Sequence, residues 1–214
     1  MTEPAGHGAV GRWIDLAATL LLALAAVATA WASYQSAGWR GEQAKAGGAS
    51  ISARVESTRA AALANDQRSV DVALFTQWID AYAREDTELA TFYRKRFRPE
   101  FVPAFDAWVA THPRENPDAP LSPFALKEYR VAAEAEADAL EARAAAKSLE
   151  VAADIQRADN YVLAVVLFAV ALFFAGIATR LPSPTSRIAI VGIAWVLFLG
   201  TVIWLATFPV TLST

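Results

Sequence analysis

The chain has 214 residues, 55% of them hydrophobic, and its 19 basic and 22 acidic side chains give a formal net charge of −3 at pH 7. This slight acidic excess argues against a nucleic-acid partner, which requires a concentrated basic face. The sequence has no cysteine, which excludes disulfides, a thiolate nucleophile and a cysteine-ligated metal.

Three stretches without a charged side chain, 16–34, 161–179 and 188–208, determine the class of the protein. Each has about 20 residues, and a helix of that length spans a hydrocarbon core of about 30 Å. We therefore predict an all-α integral membrane protein with three transmembrane helices and an extramembrane antiparallel helical hairpin that is coiled-coil-like. The predicted segments are a tail 1–12, span one 13–35, the hairpin domain 36–158, span two 159–179, a loop 180–187, span three 188–208 and a tail 209–214.

The N-terminal residues precede a span that has aromatic rings at both ends. Residues 6–11 match the G-x-G-x-x-G pattern, but no strand precedes them, so we interpret them as a flexible tail. Trp13 at one end of span one, with Trp31 and Tyr34 at the other, fits a helix that crosses two membrane interfaces. The alternative is a signal peptide cleaved after the small residues 28–30, but the apolar run continues past them.

The loop between spans two and three indicates the orientation. Residues 180–187 contain two prolines, which forbid a continuous helix, and Arg180 and Arg187 place this short loop in the cytoplasm. By alternation, the N-terminus with Arg12 is cytoplasmic and residues 36–158 lie outside the cytoplasm. We predict a multi-pass protein of a bacterial inner membrane.

The second half of the hairpin domain has strong helical character. Residues 124–157 contain no Gly or Pro and are rich in Ala and Glu. With Ser122 as N-cap and Pro123 as first residue, one helix is predicted over 124–179 that runs directly into span two. Small or apolar side chains recur every three or four positions and predict a coiled-coil-like seam: Ala133, Ala137, Leu140, Ala144, Ser148, Val151 and Ile155.

A second helix is predicted over 50–96, because Gly47 and Gly48 interrupt the chain before it and Pro99 bounds its far end. The nearly equal lengths of 60–96 and 125–160 favour an antiparallel hairpin, with residues 35–50 turning along the membrane surface. The alternative is that span one continues upward as a helix and makes a three-helix stalk.

Aromatic side chains concentrate at the distal end of the hairpin. Residues 99–108 are predicted to form a short helix, and 113–123 an irregular connection with four prolines. Phe97, Phe101, Phe105 and Trp108 share one helical face. We interpret them as a local core that caps the hairpin. The alternative is an exposed hydrophobic patch for a partner.

Four basic residues close the second helix: Arg94, Lys95, Arg96 and Arg98. Cations in a last helical turn are favourable with the helix dipole, and this is sufficient to explain them. The sharper hypothesis is that they bind an anionic ligand. Together with the four aromatic residues, they are our candidate interaction residues.

No motif for catalysis or cofactor binding emerges from the sequence. His7 and His112 are the only histidines, and their positions do not fit a metal-ligand motif. No Walker A sequence or G-x-S-x-G nucleophile elbow occurs. We predict no catalytic residue, no cofactor and no metal, and therefore that the protein is not an enzyme.

Residues 31–36 read Trp-Ala-Ser-Tyr-Gln-Ser, a W-x-x-Y-Q-S signature directly after the first span. With the charged helical segment and the closely spaced C-terminal spans, the chain resembles a family of bacterial three-span membrane proteins of unknown function. The resemblance implies the three-span layout but no activity and no binding residues. The aromatic and proline-rich stretch 97–124 departs from the plain coiled coil of that family.

We predict a structural or interaction protein that self-associates through helical packing. The expected partners are the lipid bilayer, a second copy of the chain and an unidentified membrane protein. Small side chains on the spans, including Ala171, Ala175, Gly176, Gly192 and Gly200, fit close packing within the chain. One alternative is an oligomeric channel or accessory transport subunit, although no charged side chain lies deep in a span. Another is a membrane-tethered ligand sensor, although the chain offers little cytoplasmic output.

Overall fold

The computed structural model describes residues 6–211, with side chains described for residues 11–211. These residues are all-α and contain no strand. Three of the helices are long and apolar enough to cross a membrane, which confirms the predicted fold class. In chain order the elements are α1 (Gly6–Ala83), α2 (Thr87–Arg94), α3 (Val102–Val109), a short 3-10 helix (Pro123–Ala125), α4 (Ala132–Ala178) and α5 (Pro184–Leu205).

Helix α1 is unbroken across the glycines that were expected to interrupt it. The predicted surface turn over 35–50 is therefore wrong. The alternative is correct in that span one continues upward as a helix, but the three-helix stalk is wrong, because residues 35–83 belong to this one helix. Each interior glycine costs a helix about 1 kcal/mol, and α1 carries this cost at Gly47 and Gly48 without a break. A Cβ added at Gly47 would lie 3.9 Å from the Val151 side chain, so there the two helices are in ordinary contact.

The flexible-tail interpretation of 6–11 is also wrong, because α1 begins at Gly6. The rest of the predicted tails includes residues 1–5 and 212–214, which lie outside the described residues.

Helix α4 begins at Ala132 rather than at Phe124, so the long predicted helix 124–179 is too long at its start. Leu126 has an extended backbone, and the rings of Phe124 and Tyr129 pack into an aromatic core instead of continuing a helix. The expected continuity with span two is confirmed, since α4 runs without a break to Ala178.

The chain divides into two compact units. Unit 1 comprises Met1–Gly48 and Lys147–Thr214, and unit 2 is Ala49–Ala146. The predicted domain 36–158 contains all of unit 2 and extends beyond it on both sides.

Unit 1 packs the three apolar segments around small and aromatic side chains. Leu21 and Ala25 of α1, Ala171 and Ala175 of α4, and Ala194 of α5 have no exposed surface. This burial agrees with the expectation that Ala171 and Ala175 contact another span.

The glycines of the spans do not behave as expected. Gly192 and Gly200 of α5 are exposed, and a Cβ built at Gly176, Gly192 or Gly200 meets no atom within 4 Å. Packing within the chain therefore does not explain these three residues.

Polar contacts tie both ends of the spans in unit 1. At one end Arg187, in the first turn of α5, pairs with Asp15 of α1. At the other, the Gln35 carboxamide oxygen accepts from the Thr211 amide at 2.8 Å and from its hydroxyl at 3.0 Å. The Tyr161 hydroxyl donates to the Pro209 carbonyl at 3.0 Å.

Unit 2 pairs α1 and α4 as antiparallel helices through small side chains. The Ser50 hydroxyl donates to the Ala144 carbonyl and the Ser57 hydroxyl to the Ala137 carbonyl, each at 3.0 Å. Inward positions on α1 alternate in steps of three and four. They are the buried Ser50, Ala53, Ser57, Ala60 and Ala64, the half-buried Gln67 and the buried Asp71. This contact confirms the predicted antiparallel hairpin.

The predicted seam on α4 is correct at first and then shifts. Ala133, Ala137 and Ala144 are buried, but Ser148 and Ile155 are exposed. From Ala144 the inward face continues through the half-buried Lys147 and Val151 to the buried Asp154 and Ala158. The prediction placed two successive steps of four, whereas pairing of two helices favours alternating steps of three and four.

The end of α1 also differs from the predicted helix over 50–96. Helix α1 ends at Ala83, and Glu85 adopts a left-handed backbone conformation with φ of 62°. The Asp86 amide donates to the Ala81 carbonyl and the Glu85 amide to the Tyr82 carbonyl, which is a Schellman C-cap. The Asp86 carboxylate then caps α2 by accepting from the Leu89 amide at 2.9 Å. The short helix predicted over 99–108 is present as α3.

Candidate functional site

The four candidate aromatic residues lie in the core of unit 2. Phe97, Phe101, Phe105 and Trp108 are each at least nine-tenths buried, so they do not form the exposed patch that was the alternative interpretation. Phe97 contacts Phe101 and Phe105 at centroid distances of 5.0 and 4.9 Å. Edge-to-face pairs of this kind stabilise by about 0.5–1.5 kcal/mol beyond the area they bury. These rings form the aromatic core of unit 2.

Arg98 belongs to a buried ion pair rather than to a ligand-binding cluster. Its Nε and Nη2 donate to the two carboxylate oxygens of Asp71, at 3.0 and 2.7 Å. Asp71 has no exposed surface, and its Oδ2 also accepts from the Tyr129 hydroxyl at 3.2 Å. Such a bidentate contact fixes orientation as well as charge. It joins α1 to the segment before α3 and to the segment before α4.

The ion pair changes the acidity of its members. The hydrogen bond to Asp71 raises the pKa of the Arg98 guanidinium further above its ordinary value. Burial, followed by the negative charge of Asp71, raises the pKa of the Tyr129 phenol. Both groups therefore stay protonated at neutral pH, and the guanidinium keeps the charge that the buried carboxylate requires.

The remaining basic candidates point to separate partners. Arg94 pairs with Asp106 at 2.6 Å, and the Arg96 guanidinium lies 3.3 Å from the centroid of the Phe92 ring. Lys95 is exposed and forms no ion pair within residues 6–211. The four basic residues therefore do not converge on a common anion site.

A different part of unit 2 forms a cleft that the sequence did not suggest. Two adjoining hollows of about 540 and 350 Å³ share the residues Trp78, Tyr82 and Arg114, and we call them together the aromatic cleft. These volumes lie in the range of small-molecule sites. The shared residues form its centre, with the loop after α3 on one side and the turn from α1 to α2 on the other.

The floor of the cleft is made of packed aromatic rings. Tyr82 stacks on Trp78 at a centroid distance of 4.9 Å, and Trp78 meets Trp108 edge to face at 6.4 Å. The Trp108 indole N–H donates to the Pro120 carbonyl at 2.7 Å, so this ring is fixed. Tyr82 keeps 41% of its surface exposed, which makes it the accessible ring of the floor.

Strained backbone marks both sides of the cleft. Glu85 and His112, with φ of 62° and 52°, are the non-glycine residues of positive φ in the described part of the chain. Glu85 lines the smaller hollow and His112 the larger one. Such conformations cost side-chain-bearing residues of the order of 1–3 kcal/mol and concentrate at functional sites. The sequence contained one signal for this floor, the i, i+4 spacing of Trp78 and Tyr82, whereas the approach of Arg114 depends on the tertiary fold.

The outer face of α4 in unit 2 carries a second row of alanines. Ala135, Ala139, Ala142 and Ala146 are exposed and lie opposite the buried Ala137 and Ala144. Their steps of four, three and four continue a heptad pattern. Asp138 and Arg143 flank the row, are exposed, and form no ion pair within residues 6–211.

The described residues offer no candidate metal site. Among the side chains that the structure describes, those of residues 11–211, no group of three or more His, Cys, Asp or Glu is arranged to hold an ion. The absence of a metal and of a catalytic activity remain predictions from the sequence.

Comparison with known proteins gives no relative from which a function could be transferred. No protein-family model, no curated protein and no solved structure matches this chain. The resemblance to bacterial three-span membrane proteins therefore stays a prediction, and the function has to be argued from the geometry.

Proposed function

We propose that the protein is a membrane-anchored structural and interaction protein that self-associates as a parallel dimer through the outer face of α4. The exposed alanine row Ala135, Ala139, Ala142 and Ala146 carries this proposal. A buried alanine seam already joins α4 to α1 within unit 2, and the outer row repeats its spacing on the opposite side. Alanine side chains allow two helix backbones to approach closely.

The direction of pairing follows from the membrane. Two copies inserted with the same orientation hold their α4 helices parallel, and a twofold axis then brings the same face of each copy together. In heptad terms Ala139 and Ala146 take the a position, and Ala135 and Ala142 the d position. Confinement to one bilayer raises the effective concentration of the second copy.

The charges beside the row support this geometry. Asp138 takes the g position and Arg143 the e position of the next heptad, which is the pair that meets across a parallel dimer. Because both are exposed and form no ion pair with residues 6–211 of their own chain, they are available to the partner. The twofold axis would make two such pairs. Each is worth a few tenths of a kcal/mol to 1 kcal/mol, enough to bias the register rather than to hold the dimer.

The location we propose is a bacterial inner membrane, with the N-terminus and the loop 180–187 in the cytoplasm and residues 36–158 outside it. The positive-inside rule applied to Arg180 and Arg187 supports this orientation. The Asp15–Arg187 pair supports a common side for the start of α1 and the start of α5, as three spans require.

Disulfide cross-linking tests the dimer cleanly, because the chain has no cysteine of its own. Ala142→Cys in native membranes is expected to form a disulfide-linked dimer under mild oxidation. The matched control is Thr58→Cys, an exposed position of unit 2 on α1 that lies away from the row. A dimer that forms equally from both variants, or from neither, would reject the proposed interface.

A charge exchange tests the register. Asp138→Arg is expected to reduce the cross-linking of Ala142→Cys, because it places like charges across the dimer. Adding Arg143→Asp restores opposite charges and is expected to recover the yield. If the double exchange does not recover what the single exchange loses, the parallel arrangement is wrong.

The channel and the ligand sensor stay predictions. A channel requires conductance of the purified protein in planar bilayers, and lack of conductance would remove that alternative. A sensor requires a ligand, and the aromatic cleft of unit 2 is the place for one.

A further inference from the structure

We propose that the aromatic cleft binds a small aromatic carboxylate, with the anionic group at Arg114 and the ring against Tyr82. This inference goes beyond self-association and does not depend on it, because the cleft lies apart from the outer face of α4. Three observations carry it: a preformed cleft, a cation in it without an acidic partner, and a partly exposed aromatic ring.

Arg114 is the available cation of the cleft. Its guanidinium lies 5.2 Å from the centroid of the Tyr82 ring and forms no ion pair with a carboxylate of residues 6–211. Arg94, which lines the smaller hollow, is by contrast neutralised by Asp106 at 2.6 Å. An arginine held by a ring rather than by an acid keeps its N–H donors free for a planar anion, which it can bind in a bidentate way.

Tyr82 supplies the surface for the ring of the ligand. Its other neighbour is Trp78, so a ligand ring at its exposed surface would extend an existing aromatic cluster. The Trp78 and Trp108 indoles beneath it are almost completely buried, and a preformed floor lowers the entropy that binding costs.

The carboxylates at the rim of the cleft would favour a cationic ligand over the proposed anionic one. Glu85, Asp86 and Glu115 line the two hollows, and they would attract a cationic ligand. The Asp86 carboxylate is engaged by the Leu89 amide. Arg114 lines both hollows and lies over Tyr82, so it would repel a cationic ligand bound there. This repulsion favours an anionic ligand. A probe series of equal shape and different charge decides between the two.

The probes are benzoate, benzamide and benzamidine, which carry a negative, a zero and a positive charge on the same ring. Binding is measured by saturation-transfer NMR on the full-length protein in lipid nanodiscs, with empty nanodiscs as background. For so small a ligand we expect a millimolar Kd for benzoate. Benzamide and benzamidine are expected to bind at least fivefold more weakly.

The variants are Arg114→Gln and the matched control Arg130→Gln, another exposed arginine of unit 2 that forms no ion pair within residues 6–211. Arg114→Gln is expected to raise the Kd for benzoate about tenfold, the effect of losing a charge-assisted hydrogen bond at an accessible site. Arg130→Gln is expected to leave it unchanged. Tyr82→Leu, which keeps an apolar side chain but removes the ring, is expected to weaken all three probes.

Two results would overturn the proposal. One is that benzoate binds no better than benzamide or benzamidine to the unaltered protein. The other is that Arg114→Gln and Arg130→Gln bind benzoate with equal affinity. Neither result bears on the dimer, whose cross-linking is measured without any ligand.

Discussion

At the scale of single residues, Asp71 is the most demanding side chain of unit 2. It is a carboxylate on an inward position of α1 with no exposed surface, and two hydrogen bonds from Arg98 and one from Tyr129 surround it. A buried charge is expensive unless it is paired and hydrogen-bonded. This cluster therefore specifies how the segments before α3 and α4 dock on α1.

Removing one partner of this pair is expected to be strongly destabilising. Asp71→Asn removes the buried counterion of Arg98 and leaves only the exposed Glu100, at 2.7 Å, to balance its charge. We expect a loss of about 3–5 kcal/mol of unfolding free energy. The matched control is Asp80→Asn, which removes an exposed i, i+4 pair with Arg84 and should cost at most about 1 kcal/mol. Thermal unfolding followed by tryptophan fluorescence compares them, and equal melting temperatures would contradict this account of Asp71.

Tyr129 gives a pH-dependent prediction. Its pKa is raised in the folded protein, chiefly by burial, so the folded state holds the phenol proton more tightly than the unfolded chain. The protonated Tyr129 phenol therefore contributes fully to stability below the pKa of tyrosine in the unfolded chain, about 10. This contribution is lost as the pH rises through the pKa of Tyr129 in the folded protein. The difference in tyrosinate absorbance between the unaltered protein and Tyr129→Phe is expected to titrate above pH 10. A difference curve centred at or below that pH would contradict the prediction.

At the scale of elements, the pairing of α1 with α4 depends on side chains that are small rather than strongly hydrophobic. Ser50 and Ser57 reach the carbonyls of α4, whereas Ile51 and Val55 of the same helix are 67% and 45% exposed. The inward face accepts alanine and serine because the two backbones lie close together. Large side chains are excluded from it for the same reason.

This explanation predicts that one substitution has unequal effects on stability at two neighbouring positions. Ala144→Leu places a large side chain on the inward face, and we expect a loss of about 1–3 kcal/mol from overpacking. Ala145→Leu is exposed and should change stability by no more than about 0.5 kcal/mol. Helical circular dichroism during thermal unfolding measures both, and a similar effect at the two positions would show that the faces were assigned incorrectly.

The sequence was sufficient for the class of each long element but not for its inward face. Charge-free runs of about 20 residues revealed the membrane-capable helices, because length and apolarity alone determine that property. The face of α1 was harder to predict, since apolar periodicity selects Ile51 and Val55 and overlooks serine. Gly47 and Gly48 were interpreted as a break, because glycine disfavours a helix locally, but α1 continues through both.

The candidate site illustrates the same limit. Proximity in sequence grouped Arg94, Lys95, Arg96 and Arg98, whereas the fold gives three of them separate partners and leaves Lys95 exposed. Phe97, Phe101, Phe105 and Trp108 are buried, as the local-core interpretation predicted, but they do not share one helical face. Only Phe105 and Trp108 lie on α3, and Phe97 and Phe101 precede it. The aromatic cleft could not be foreseen, because Arg114 reaches Tyr82 across a separation of 32 residues.

At the scale of the whole molecule, polar contacts close the three apolar helices of unit 1 at both ends. The W-x-x-Y-Q-S signature contributes directly, because Gln35 binds Thr211 through both its oxygen and its amide nitrogen. The segment after α5 is thereby fixed against the end of the first apolar stretch.

Gln35→Leu is expected to release this segment. The Thr211 amide would lose its acceptor in a buried position, at a cost of about 1–3 kcal/mol. Digestion by a carboxypeptidase should then proceed faster past Thr211 than in the unaltered protein. Ser33→Ala, an exposed change on the same helix, should leave the rate as it was. Equal rates for all three proteins would contradict the role given to Gln35.

The most direct test of the membrane arrangement is the labelling of single cysteines in intact bacterial cells. Leu121 of unit 2 is 98% exposed, and Ser183 lies in the short loop before α5, where its side chain makes no capping bond, so each position is suited to Leu121→Cys or Ser183→Cys. We predict that a membrane-impermeant maleimide labels position 121 in intact cells and position 183 only after the membrane is permeabilised. Labelling of both positions from the same side would contradict the three-span arrangement.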